Sequence, residues 1–307
     1  MKAIRFSLMS VLLVVLAAGC SPATVLPDQS QVTPSIDPAF LQSTPSTGPI
    51  TMEMLKNGEY QAQNGMTLVR LMDGKYEAGS GSDYLSVSMQ EQSAFGDLNA
   101  DGVEDAAIIL VENYGGTGQF EYLVPVFNSG VSLSPSSGYF LGDRVAVNSM
   151  SIADGRITLD MLVHAPNDGQ CCPSQSMTQS FRFYWGPGLV MVHATSGTFT
   201  DTLREISIEA PTAGSEVTNQ IQLKGRVTIA PFENTLLVRI MDVNNTSIYT
   251  GPIMVSAPDM GAPGTFDGLV DLSGSPASPG SIRIEVLEMS MADGSILTMD
   301  SVDVTLK

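Results

Sequence analysis

The stretch FGDLNADGVEDAAIIL, Phe95 to Leu110, places side-chain oxygens at alternate positions and then becomes an apolar run. Asp97, Asn99 and Asp101 stand at positions one, three and five of a loop. Gly102 permits a sharp turn, Val103 offers its carbonyl, and Asp105 falls at position nine. Alternate spacing lets the side chains of a tight loop converge on one centre, and a hard cation such as Ca²⁺ takes about six to eight oxygen ligands. Without a cation, three carboxylates held so close repel one another. The expected cofactor is therefore a structural Ca²⁺ held by Asp97, Asn99, Asp101, Val103 and Asp105; the alternative is a metal-free turn rich in Asp and Asn. Position twelve, where a helix–loop–helix calcium site has a bidentate Glu, is Ile108, so this loop runs into a strand instead.

Cys171 and Cys172 are the second place where chemistry could sit, and Cys20 is the only other cysteine. With the Cys20 thiol otherwise engaged, outside the cytoplasm they can pair only with each other or with another chain. Adjacent Cα atoms lie about 3.8 Å apart, below the roughly 4.4 Å lower bound usual for a disulfide, so a ring between them is strained. Three readings stay open: a structural disulfide fixing the turn before Pro173, free or partly buried thiols, and a metal or redox site with His164 and Asp168. Tyr114-Gly115-Gly116-Thr117-Gly118 precedes a strand-like run, so it lacks the helix N-terminus that cradles a phosphate. Glu104 and Asp105 are neighbours on a strand and point to opposite faces, which argues against a paired acid and base. His193, at the end of an apolar strand, reads as surface or packing. The 17 Met residues are scattered and read as packing. The nucleophile-elbow, zincin and P-loop patterns are absent.

The elements that must position these residues are strands. Arg156 to His164 alternates, with Ile157, Leu159, Met161 and Val163 on one face, and Asp154-Gly155 makes the hairpin turn before it. Similar runs are Thr67–Leu71, Tyr84–Ser88, Ala106–Val111, Phe120–Phe127, Phe181–Trp185 and Leu189–His193. A helical turn or two is expected only near Met52 to Lys56. Residues 50–197 thus form one mainly antiparallel β module. From 204 to 307 about seven short strands follow: Ile206–Glu209, Ile221–Val227, Leu236–Met241, Ser247–Tyr249, Phe266–Leu272, Ile282–Met289 and Ser301–Leu306. That count and length suit an immunoglobulin-like β-sandwich. The expected fold class is mainly β, an antiparallel module followed by that sandwich.

Acidic residues outnumber basic ones by 32 to 14, which excludes nucleic acid as a partner. Residues 1–19 carry Lys2 and Arg5, an apolar stretch from Phe6 to Leu16 and then small residues, the pattern of a secretory signal too short to span a membrane. Removing them leaves 12 basic and 32 acidic residues and a formal charge of −20. Ser21 to Pro49 is rich in Pro, Ser, Thr and Gln and reads as a disordered spacer with a reach of roughly 30 Å.

Leu16-Ala17-Ala18-Gly19-Cys20 resembles the lipobox of bacterial lipoproteins, with Ala17 where Leu is usual. The resemblance implies cleavage before Cys20, acylation of that cysteine (palmitate among the chains), and an extracytoplasmic protein lipid-anchored to a bacterial membrane, on the cell surface or the periplasmic side. Residues 20–49 become the lipidated Cys and its tether, with membrane lipid as one partner. "IEAPTAGSEVTNQIQLKGRV", "FENTLLVRIMD", "GTFDGLVDL" and "EVLEMSMADGSI" together resemble the immunoglobulin-like domain of bacterial spore germination proteins, which implies a binding or spacing domain over 204–307. Asp97 to Asp105 is similar to the calcium loops of integrin-type β-propeller repeats, though only one copy is present. With "YGGTGQF", "LGDR" and "HAPNDGQCCP" it also resembles an uncharacterised module of exported bacterial lipoproteins. The expected function is a non-catalytic binding or spacing protein whose partner is a cell-wall or envelope polymer or protein. The alternative is an envelope enzyme acting on wall polymer or glycan near residues 164–173.

Overall fold

The computed structural model describes residues 48–63, 65–198, 200 and 202–307. Cys20, the signal segment and nearly all of the tether lie outside the described residues. A short helix, α1 (Met52–Lys56), is capped by Thr51, whose hydroxyl accepts the Met54 N–H at 3.3 Å. Then come β1 (Glu59–Ala62), β2 (Thr67–Arg70), β3 (Lys75–Ala78), β4 (Leu85–Gly96), β5 (Asp105–Asn113), β6 (Phe120–Asn128), β7 (Leu133–Pro135) and β8 (Tyr139–Asp143). The chain continues through β9 (Ala146–Ala153), β10 (Arg156–Val163), β11 (Gln175–Tyr184), β12 (Gly188–Gly197) and β13 (Leu203–Arg204). The last group is β14 (Ile206–Ala210), β15 (Glu216–Val217), β16 (Gln220–Val227), β17 (Thr235–Met241), β18 (Ser247–Ser256), β19 (Gly264–Asp271), β20 (Gly280–Met289) and β21 (Ile296–Leu306).

Strands β3 to β8 form one sheet in the order β3-β4-β5-β6-β7, with β8 also on β6. Its centre, β5, is buried from Asp105 to Glu112. Ala106, Ile108 and Leu110 pack towards α1, β1 and β2, whereas Ala107 and Ile109 pack towards β9 to β12. A strand covered on both faces gains nothing from alternation, and this is why AAIILV is apolar throughout. On β10, by contrast, Ile157, Leu159 and Met161 are fully buried and Asp160 is exposed, the half-buried pattern of the outer layer.

The second sheet runs β9-β10-β11-β12 and passes through β21 into β20 and β17. Direct pairing at the junction is one residue pair, Ala194 with Met299. Two hydroxyls extend it: Thr298 Oγ1 donates to the Ala194 carbonyl at 2.9 Å, and Ser301 Oγ to that of Val192 at 2.6 Å. Leu287 and Met299 complete the core that also contains Ile157, Leu159 and Phe181.

Beyond the junction, β14, β16 and β19 face β17, β20 and β21 across a separate core that includes Leu223, Val238, Phe266 and Ile284. β18 pairs with β17 up to Met254 and then with β19 at Val255 and Ser256, so it crosses between layers. This is an immunoglobulin-like sandwich whose strands are antiparallel apart from β15 on β21, and whose two layers share β18. Strands β1, β3, β7 to β9, β13 and β15 carry too little apolar alternation to stand out in the sequence. β4 extends well past the expected Ser88 because a bulge between Met89 and Ser93 interrupts its pattern.

Candidate functional site

The acidic loop joins β4 to β5 and is folded by its own side chains. Asp97 Oδ1 accepts the N–H groups of Asn99 (3.2 Å) and Ala100 (2.7 Å), and its Oδ2 accepts that of Gly102 (2.9 Å). Asn99 Oδ1 accepts from Asp101 N, and Asp101 Oδ1 accepts from Val103 N. Gly102 sits at φ +82°, where a side chain would be strained. The Gly102 N–H, above all, holds the Asp97 carboxyl below its ordinary range.

Asp105 is fully buried, while its neighbour Glu104 is exposed. Asp105 Oδ2 accepts Leu98 N and Oδ1 accepts Asn128 N, both at 2.9 Å. Burial pushes its carboxyl up, and the charges of Asp101 and Asp97 push it further, so the three carboxylates feel one another. The donor set of the loop is all oxygen, which suits Ca²⁺. Asp105 would have to share its oxygens between a cation and two backbone N–H groups, and among the described residues no three His, Cys, Asp or Glu groups are already gathered around one centre.

In the loop after β10, Cys171 and Cys172 are exposed and bonded to each other, with Cα atoms 3.8 Å apart. Asp168 organises that loop: Oδ2 accepts Ala165 N (2.7 Å) and Ser174 N (2.8 Å), and Oδ1 accepts the Ser174 hydroxyl (2.8 Å). These bonds, led by the Ala165 N–H, keep its carboxyl low. His164 Nε2 lies 3.2 Å from the Asp143 carbonyl oxygen instead, and Arg144 Nη1 donates to the Gln170 carbonyl. One further group carries no motif in the sequence. Glu121 on β6 is 2% exposed, and its Oε2 has no hydrogen-bond partner among the described residues. Burial raises its pKa to about 7, although the Val145 and Arg144 N–H groups pull the other way. An acid in the second place of an otherwise buried apolar strand was the available signal.

The sandwich was expected from strand count and from a resemblance, and a direct comparison decides its type. Residues 205–295 match the immunoglobulin-like domain of bacterial spore germination. No curated protein matches the chain. The match begins at Glu205, just before β14, and ends just before β21, the strand that pairs with β12. The spore-germination-type domain also meets the first module through polar groups. Tyr184, at the end of β11, donates its hydroxyl to Asp303 Oδ2 at 3.0 Å, and the guanidinium of Arg283 lies 5.2 Å over its ring.

Trp185 follows Tyr184 in the turn to β12 and is 74% exposed, although it is the sole Trp. Its ring stands at 89° to Phe183, with centroids 5.1 Å apart, and lies 5.7 Å from Phe127. In the sequence Trp185 stands only as the end of the strand-like run Phe181–Trp185.

Replacing Asp105 by Ala orphans two buried backbone N–H groups at about 1–3 kcal/mol each, so urea denaturation should show a loss of about 2–6 kcal/mol; a loss under about 0.5 kcal/mol would contradict the assignment. Glu121 titrates in the opposite sense to a paired carboxylate. Its pKa is higher folded than unfolded, so its contribution is complete below the ordinary value of 4.5 and is lost as pH rises through about 7. Subtracting the melting-temperature profile of Glu121→Gln from that of the wild type should leave a decline between those values. A flat difference would refute it.

Proposed function

We propose that the chain is a lipid-anchored extracytoplasmic protein whose folded unit binds or spaces a component of the cell envelope without catalysing a reaction. The observation that carries this reading is the match of residues 205–295 to the immunoglobulin-like domain of bacterial spore germination, joined through β21 to a second β module. The secretory pattern before Cys20 and the polar spacer behind it supply the anchor and the tether. Acyl chains on that cysteine would hold the protein at a membrane.

The proposal includes a structural Ca²⁺ in the loop of Asp97, Asn99, Asp101 and Val103, with Asp105 behind it. When bound, the ion would relieve repulsion among the three carboxylates, and the loop's N–H network would fix the direction of the oxygens. Asp105 ties the loop to the sheet whether or not a cation is present. His164 and Asp168 serve loop geometry in this reading, and the Cys171–Cys172 pair stiffens the same turn.

Two measurements test the two halves. Radiolabelled palmitate should enter the wild-type protein in cells and be lost with Cys20→Ser; an unlabelled wild type recovered from cytosol would end the anchor proposal. Calcium at about a hundredfold its Kd should add about 2.7 kcal/mol of stability. Asp101→Asn, at an exposed position, should abolish that gain while leaving calcium-free stability nearly unchanged. No rise in melting temperature at millimolar calcium would remove the metal.

A further inference from the structure

We propose that Trp185 is the stacking platform of a glycan site that takes a neutral or N-acetylated sugar from an envelope polysaccharide. The indole forms a ridge between two grooves. One, of about 590 Å³, is walled by the acidic loop and the Asp154-Gly155 turn. The other, of about 550 Å³, is walled by Asn99, Asp101, Ser134 and Ser136. Phe183 and Trp185 line both.

Leaving the largest side chain of the protein in water forgoes its burial energy, roughly 25 cal/mol per Å² of apolar surface. The ring is nonetheless held in place by Phe183 and Phe127, of which Phe127 is only 8% exposed. An exposed aromatic braced by two other rings beside polar walls suits a pyranose ring: its C–H face is apolar and stacks on an indole, while its hydroxyls need donors and acceptors at the edge. The walls provide hydroxyls from Ser134 and Ser136, an amide from Asn99 and a carboxylate from Asp101. A protein partner fits less well, because a stable interface covers about 800 Å² on each side. Here the other large apolar residues of the two grooves, Leu98, Phe127, Ile152 and Phe183, are buried or half-buried. Charge narrows the sugar further. With no cation in the loop, Asp97, Asp101 and Asp154 line these grooves against Arg182 alone, so uronate or phosphate polymers are repelled and neutral or N-acetylated sugars are not.

The site deepens the reading of the chain as an envelope-binding protein and rests on it. The full-length protein in detergent, in calcium-free buffer with a chelator, is titrated with the tetramers of N-acetylglucosamine and of β-linked glucose, and with polygalacturonate. Since the chain has one Trp, its emission reports the site directly, and calorimetry reads variants that lack it. At least one neutral tetramer should shift the emission saturably and polygalacturonate should not. Trp185→Ala should weaken binding by about tenfold or more, which is about 1.4 kcal/mol, and Trp185→Phe should restore part of it. Position 185 is exposed, so the fold should survive, as circular dichroism would verify. Absence of saturable binding by both tetramers at millimolar sugar overturns the proposal, and so does equal affinity in Trp185→Ala. Co-sedimentation of the Cys20→Ser protein, which lacks the acyl anchor, with isolated envelopes separates this from the parent reading. Envelope binding unchanged by Trp185→Ala sinks the site alone. Tetramer binding at Trp185 without envelope binding supports the site and sinks the parent.

Discussion

Leu98 and Asn128 stand 30 residues apart, and their N–H groups end on the two oxygens of one buried carboxylate, Asp105. Much of the first module's upper edge depends on that group. It fixes where the acidic loop leaves β4, turns Leu98 into the core and sets the end of β6 beside the loop. Asn128 then relays the constraint, since its side chain accepts Gly130 N and donates to the Gly48 carbonyl. A carboxylate in this place works as a two-pronged acceptor that no amide could match, because an amide brings two donors with its one oxygen. The cost is burial of a charge among other acids, and it accounts for the raised pKa.

The junction between the modules divides labour between apolar and polar groups. Leu287 and Met299 are fully buried with the first module's core, and they supply the transfer energy. Close by, Glu285 accepts from Arg239 Nε at 3.0 Å and from Arg283 Nε at 2.8 Å, and both Glu285 and Arg283 are almost wholly buried. Buried ion pairs gain little net stability, because desolvation offsets the attraction. Their geometry is demanding, however. Arg283 must meet Glu285, Asn245 and the face of Tyr184 at once. A slip of β21 along β12 would break that set and leave an uncompensated buried charge, so the polar groups specify one docking while the apolar ones hold it.

The strands were legible wherever one face meets water, as on β10, or wherever a run is wholly buried, as on β5. Asp154-Gly155 was legible too, and both residues take the positive φ that such a hairpin turn needs. What the sequence hid depends on which chain segments become neighbours. Nothing near Asp105 reveals that Asn128 will approach it, so a loop acid and a sheet-tethering acid look alike. Glu121 becomes a buried titratable group with a raised pKa only when β8 and the turn at Arg144 close over it. Trp185 looks like strand filling until the Gly186-Pro187-Gly188 turn leaves it outside the sheet. The short strands β7 and β13 arise from pairing with longer neighbours and have no periodicity of their own.

Charge bears on what this surface can meet. Twelve basic residues follow residue 19, and eight of them are held in ion pairs with acids: Arg70, Arg144, Arg204, Lys224, Arg226, Arg239, Arg283 and Lys307. Exposed pairs of this kind add little stability. Their larger effect is to use up positive charge, so the outward field is set by unpaired carboxylates. Such a surface repels anionic polymers and gathers divalent cations. Affinity for any partner then has to come from contacts that a negative field does not penalise, namely a shared cation, backbone groups, or an uncharged ring against an aromatic one.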